Sequence, residues 1–112
     1  GPTVMLRADI DALPYADPND PERIEAIHAC GHDAHAAILL AAAPEIRKNL
    51  KKGKIRLAFQ PAEESLQGAL AMIKDGVLDG VDIVVGSHIR PVQDLPFRKY
   101  CSVRESCCLC NR

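Results

Sequence analysis

The chain has 112 residues, 14 Lys and Arg against 15 Asp and Glu for a net charge of −1, 47% apolar and 4% aromatic residues, and no Trp. That length accommodates one small domain with a real core; near-neutrality gives no electrostatic case for nucleic acid or an anionic membrane, and so few aromatics argue against a base-stacking platform. The longest apolar run, Ala36 to Ala43, is far too short to span a bilayer, the opening Gly1-Pro2-Thr3 carries no leader-peptide pattern, and five cysteines without a disulfide framework point to a reducing, cytoplasmic setting.

In chain order, Val4, Met5 and Leu6 lead into Arg7, Asp9 and Asp11, which predicts a buried strand ending in two carboxylates. Residues 14 to 22 are rich in Pro, Asp and Asn and predict a loop. The stretch from His28 to His35 then holds His28, Cys30, His32, Asp33 and His35, the side chains that bind divalent transition metals. His32 and His35 are three apart and share a helical face. A long helix follows, with an apolar stripe of Ala36, Leu39, Leu40, Ala43, Ile46 and Leu50 that stays in phase across Pro44, so one kinked helix is expected. Its free N-terminal N–H groups favour a thiolate or carboxylate nearby. Arg47, Lys48, Lys51 and Lys52 crowd its last turns and Gly53 closes it.

Ile55, Leu57 and Phe59 alternate, predicting a second strand that runs into Gln60, Glu63 and Glu64. A helix is expected from about Leu66 to Lys74, with Leu66, Leu70, Ile73 and Val77 on one side and Gly76 and Gly80 at its exit. Val81 to Val85 reads as a third strand, covered on both faces, that delivers His88. The alternation strand, helix, strand, helix, strand predicts an α/β three-layer sandwich: a largely parallel sheet, right-handed crossovers and flanking helices.

Sites in open α/β sheets form beyond the carboxyl ends of the strands. Here the strands deliver Asp9 and Asp11, then Glu63 and Glu64, then His88, and the first crossover helix starts on that rim with Cys30 and His32. Four segments thus converge on one edge, which predicts a metal hydrolase site. Glu63 and Glu64 are adjacent just past a strand, so their side chains are expected to point different ways, and one can bind metal while the other faces substrate as general base. Asp11 can orient a metal-binding side chain from behind; Asp9 and Asp33 can do the same, and spacing does not separate their roles.

Four motifs together, Leu6 to Pro14, His28 to His35, Gln60 to Glu64 and Gly86 to His88, resemble the zinc-peptidase-like amidohydrolases. These are the aminoacylase and carboxypeptidase group, in the branch with hippurate hydrolases and plant auxin-conjugate hydrolases. The resemblance covers residues 1 to about 91. It implies a site for two divalent ions, zinc or manganese, with Cys30, His32, Glu64 and His88 as ligands, Glu63 as general base and Asp11 in support. It implies hydrolysis of the amide bond of N-acyl amino acids or small peptide conjugates; the alternative is a non-catalytic metal-binding remnant. It also implies a second, lid-like domain and a further histidine ligand, so the expectation is a truncated catalytic domain over 1–95, insufficient for turnover alone and prone to self-association through exposed edges. Residues 96–112, with Cys101, Cys107, Cys108 and Cys110, depart from the resemblance and are expected to be an aberrant tail rather than a zinc knot.

Overall fold

The computed structural model describes residues 1–89, so the expected boundary at 95/96 and the four tail cysteines lie outside the described residues. The chain runs β1 (Thr3–Asp9), β2 (Leu13–Asp17), β3 (Asp20–Ile27), α1 (His32–Asn49), β4 (Lys54–Gln60), α2 (Gly68–Lys74) and β5 (Ile83–Gly86). β4, β1 and β5 form a three-stranded, all-parallel sheet with β1 in the middle. α1 takes the chain from β1 to its neighbour on one side, and α2 takes it from β4 past β1 to the other. With the usual right-handed hand for such parallel crossovers, helices on connections running in opposite directions lie on opposite faces of the sheet, and a mostly parallel sheet with crossover helices is the α/β arrangement expected from the strand–helix alternation. Among the described residues, Met5, Ala8, Leu39 and Ala58 are the buried apolar side chains of this core.

Register decides what reaches the rim. Asp9 pairs with Gln60 and Arg7 with Gly86, so Glu63, Glu64 and His88 leave their strands just beyond the level of Asp9. The edge of β5 is fixed at its start by Asp82, whose carboxylate accepts the Thr3 N–H at 2.7 Å while its own N–H donates to the Thr3 carbonyl at 2.9 Å.

Four sequence expectations are corrected. Residues 14 to 22 are not a loop: β2 and β3 form an antiparallel hairpin around Pro18-Asn19, with the Asn19 N–H donating to Asp17 Oδ1 at 2.8 Å. Pro14 and Pro21 disguise it, but a two-stranded ribbon consists only of edges, where a missing N–H is tolerated. Second, α1 begins at His32 and ends at Asn49, running through Pro44 as one helix, and its buried face is His32, His35 and Leu39 rather than a stripe that includes Leu40, which is 60% exposed. The histidines themselves occupy the packing positions at i and i+3. Third, the apolar side assigned to the second helix is open, with Leu66 in the preceding turn at 74% and Leu70 at 67% exposure. Fourth, among the described residues β5 is paired on one side only, and Ile83, Val84 and Val85 are about half exposed rather than covered on both faces. Among the described residues, no helix is long and apolar enough to cross a membrane.

Candidate metal centre

The site is built from the N-terminus of α1 outward. Gly31 precedes the helix with φ 80°, a left-handed conformation that glycine adopts without strain. This step turns the chain so that Cys30 stands outside the helix while His32 and His35 point into the sheet rim, 1% and 5% exposed. His32 Nδ1 lies 3.0 Å from Asp11 Oδ1. The Asp11 carboxyl is held below its ordinary range: burial pushes it up, but hydrogen bonds from the backbone of Glu64, Asp11 and Glu63 and from His32 outweigh that. It is therefore an acceptor and Nδ1 carries a proton, which in the neutral imidazole leaves Nε2 with a lone pair.

That lone pair is the site's distinctive feature. Among the described residues, His32 Nε2 is the one buried side-chain polar atom without a hydrogen-bond partner. Around it stand Asp9 Oδ2 at 3.8 Å, Glu64 Oε1 at 3.8 Å and Glu63 Oε2 at 3.9 Å. An orphaned buried acceptor ringed by carboxylates is electrostatically unfavourable by itself and suited to a cation. Donor atoms of Cys30, His32 and Glu64 lie within 4.8 Å of one another. The Cys30 thiol is pushed up to about 11 by its hydrogen bond to Glu64, by burial, and by the charges of Glu64, Glu63 and Asp11, so a metal ion would have to displace its proton to gain a thiolate donor there. This mixture of imidazole nitrogen, thiolate and carboxylate fits a divalent transition metal.

Glu63 and Glu64 arrive differently from the expectation. They lie in a turn after β4, following Ala62 at φ 51°, rather than in extended chain. The turn removes the strand alternation, and both carboxylates aim at the same imidazole. Asp11 fixes this turn too, its Oδ2 accepting the Glu64 N–H at 3.0 Å.

His88 approaches from the exit of β5. Its ring lies edge-on to His35 with centroids 4.5 Å apart and to His32 at 5.5 Å. Nδ1 donates to the Ile89 carbonyl at 2.6 Å, which leaves Nε2 free to ligate. His88 joins a second group of donors with Asp9, His32 and His35 within 4.8 Å, so the two groups share His32. Asp9 is 1% exposed and already engaged by His35 Nδ1 and by Arg7 Nη1, the latter at 2.9 Å. His28 and Asp33 are exposed and belong to neither group. Sequence reasoning left Arg7 and Gln60 out of the site; Arg7 Nε donates to Gln60 Oε1 at 2.8 Å, tying β1 to β4 directly beneath it. Their signal was the register, since Gln60 stands opposite Asp9.

A family model described as peptidase family M20/M25/M40 matches residues 5–97. The chain is 52% identical over 97 residues to N-acetyl-L-cysteine deacetylase of Bacillus subtilis, covering 81% of this chain and 23% of that protein. It is 53% identical to thermostable carboxypeptidase 2 of Saccharolobus solfataricus, covering 80% and 25%, and 47% identical to IAA-amino acid hydrolase ILR1-like 6 of Arabidopsis thaliana, covering 79% and 20%. The chain thus spans about a quarter of the length of the curated relatives it matches. No solved structure matches it.

Proposed function

The chain belongs to peptidase family M20/M25/M40, and from that premise we propose that it forms the metal-holding part of a metal-dependent amidohydrolase acting on N-acyl amino acids or small peptide conjugates. The observation that carries this reading is the buried, unpartnered lone pair of His32 Nε2, facing Cys30 and Glu64. The names of the relatives support the substrate class, an acyl group joined to an amino acid through an amide. In this reading Cys30, His32, Glu64 and His88 hold the metal, zinc or manganese, and the intact site takes two ions.

A divalent ion held there supplies Lewis-acid polarisation of the amide carbonyl and acidifies water. The chain's own contribution is placement and proton transfer. Asp11 holds His32 in the tautomer that leaves Nε2 open and anchors the Glu63–Glu64 turn. Glu63, about one-third exposed at its side chain, takes the proton of the attacking water and returns it to the leaving nitrogen. Exposure suits it to that task, because the base must meet both water and substrate. The cysteine usage is in keeping with a cytoplasmic protein, and the open apolar residues of α2 and β5 with self-association.

The test is a chimera in which residues 5–97 replace the matching segment of the Bacillus subtilis deacetylase, loaded with zinc or manganese. The expected result is metal-dependent deacetylation of N-acetyl-L-cysteine that Glu63→Gln abolishes with metal content unchanged. A folded, metal-loaded chimera without turnover contradicts the catalytic reading and favours a metal-binding role alone.

A further inference from the structure

We propose that Asp9 and His35 form a buried positioning pair that sets His88, acting through the backbone of Ile89. This inference rests on the metal-centre reading above, because His88 is the group being positioned.

The connections run in one direction across the rim. Arg7 Nη1 donates to Asp9 Oδ2 at 2.9 Å, and the other Asp9 oxygen accepts from His35 Nδ1. With Nδ1 protonated, His35 Nε2 is an acceptor, and it takes the Ile89 N–H at 2.9 Å. The Ile89 carbonyl in turn accepts the His88 Nδ1–H at 2.6 Å. The peptide groups of Ile89 are therefore used at both ends, one by the pair and one by the ligand candidate. The Ile89 side chain is held as well: a Cβ on Gly31 would collide with its Cδ1 and Cγ1. Ile89 thus sits over the residue between Cys30 and His32.

Asp9 and His35 are themselves poor ligand candidates, although they group with His32 and His88. Both nitrogens of His35 and both oxygens of Asp9 are already committed to protein partners. Nor is the pair merely core filling. Both residues are at least 95% buried, a costly place for polar groups unless they bond to something that matters. What the pair reaches, through His35, is the Ile89 N–H, in the segment that follows the last paired residue of β5, Gly86, opposite Arg7. Without the pair, nothing among the hydrogen bonds of the described residues ties Ile89 to the rest of the sheet.

The experiment uses the 112-residue chain with His35→Phe, which keeps an aromatic ring and removes both hydrogen bonds, and His35→Gln, which keeps an acceptor for the Ile89 N–H. In metal-free protein, amide hydrogen exchange at Ile89 should be slow in the wild type, fast in His35→Phe and intermediate in His35→Gln. Cobalt(II) affinity should fall about tenfold or more in His35→Phe, with part restored by His35→Gln. The same substitution in a His88→Ala background should change affinity by less than about twofold, since a device that acts only through His88 has nothing left to position. Unchanged exchange at Ile89, or the full penalty retained without His88, overturns the proposal. If circular dichroism shows His35→Phe unfolded, Asp9→Asn carries the same two comparisons. A wild-type chain that binds no cobalt overturns the metal-centre reading instead, while the exchange at Ile89 still decides whether the pair holds this segment.

Discussion

Replacing Asp11 by alanine should weaken metal binding without touching a ligand. Two of Asp11's hydrogen bonds, one through each carboxylate oxygen, join the site: it accepts the His32 Nδ1–H and the Glu64 N–H, each at 3.0 Å. Bonds to an ionised acceptor each contribute about 1.5–3 kcal/mol. The side chain is 15% exposed, so water replaces part of what is lost at Asp11, but the His32 imidazole is 1% exposed and its Nδ1–H is left buried without an acceptor. The imidazole proton then gains by moving to Nε2, the atom needed for the metal. Losing such an outer partner typically costs 10- to 100-fold in metal affinity, or about 1.4–2.8 kcal/mol. Asp11→Ala, which loses both bonds and releases the Glu63–Glu64 turn, should lie near the upper end. Asp11→Asn retains one acceptor oxygen and presents an NH2 group to the second donor, so it should fall between alanine and wild type. Competition against a chromophoric chelator measures all three proteins. Wild-type affinity in Asp11→Ala would refute the reasoning, as would a ranking in which asparagine is worse than alanine.

Further outcomes follow from the same geometry. Because the Cys30 thiol is raised to about 11 by Glu64, burial and the neighbouring carboxylates, it is protonated at neutral pH and metal binding must release its proton. Apparent affinity should therefore rise by about tenfold per pH unit from this group alone and level off above its pKa, and proton-release calorimetry should lose one proton in Cys30→Ala. Asp9 is held below its ordinary value of 3.8: burial pushes it up, but the His35 hydrogen bond and the charge of Arg7 prevail. Its contribution to stability is therefore full above that ordinary value and is lost as pH falls through the lowered one, so Asp9→Asn should flatten the acid limb of a denaturation series. Gly31→Ala should destabilise the chain by about 1–3 kcal/mol in urea melts, since it strains a left-handed φ and strikes Ile89. Glu63→Gln in the chimera should lower kcat by about 10²- to 10⁴-fold while metal content holds.

The sheet and the rim were readable because they rest on strong local patterns. Val4 to Leu6, the alternating Ile55, Leu57 and Phe59, and Val81 to Val85 each mark a strand of the parallel sheet that leads into polar chemistry, the last strand beginning at Ile83 rather than Val81. That order brings Cys30, His32 and both Glu63 and Glu64 to one edge, since strand ends share it; picking Cys30, His32 and Glu64 from among them rested on the resemblance. What was hidden depended on context. The β2–β3 hairpin hides behind Pro14, Pro18 and Pro21, residues that argue against a strand unless the strand has free edges. The buried stripe of α1 was misplaced by counting only apolar residues, when His32 and His35 are the ones that face inward. The shared aim of Glu63 and Glu64 depends on Ala62 at φ 51°, which no hydropathy pattern encodes. The bond from His35 to Ile89 joins residues 54 apart, and nothing in spacing announces it.

In the proposed metal centre one thiolate, from Cys30, joins imidazole and carboxylate donors around a divalent ion. X-ray absorption on the zinc-loaded chain tests it most directly. The expected spectrum has a single sulfur at about 2.3 Å with the remaining shell of nitrogen and oxygen at about 2.0–2.2 Å, and Cys30→Ser removes the sulfur shell. A first shell with no sulfur, or one of several sulfurs that survives Cys30→Ser and so arises from other cysteines, contradicts the account.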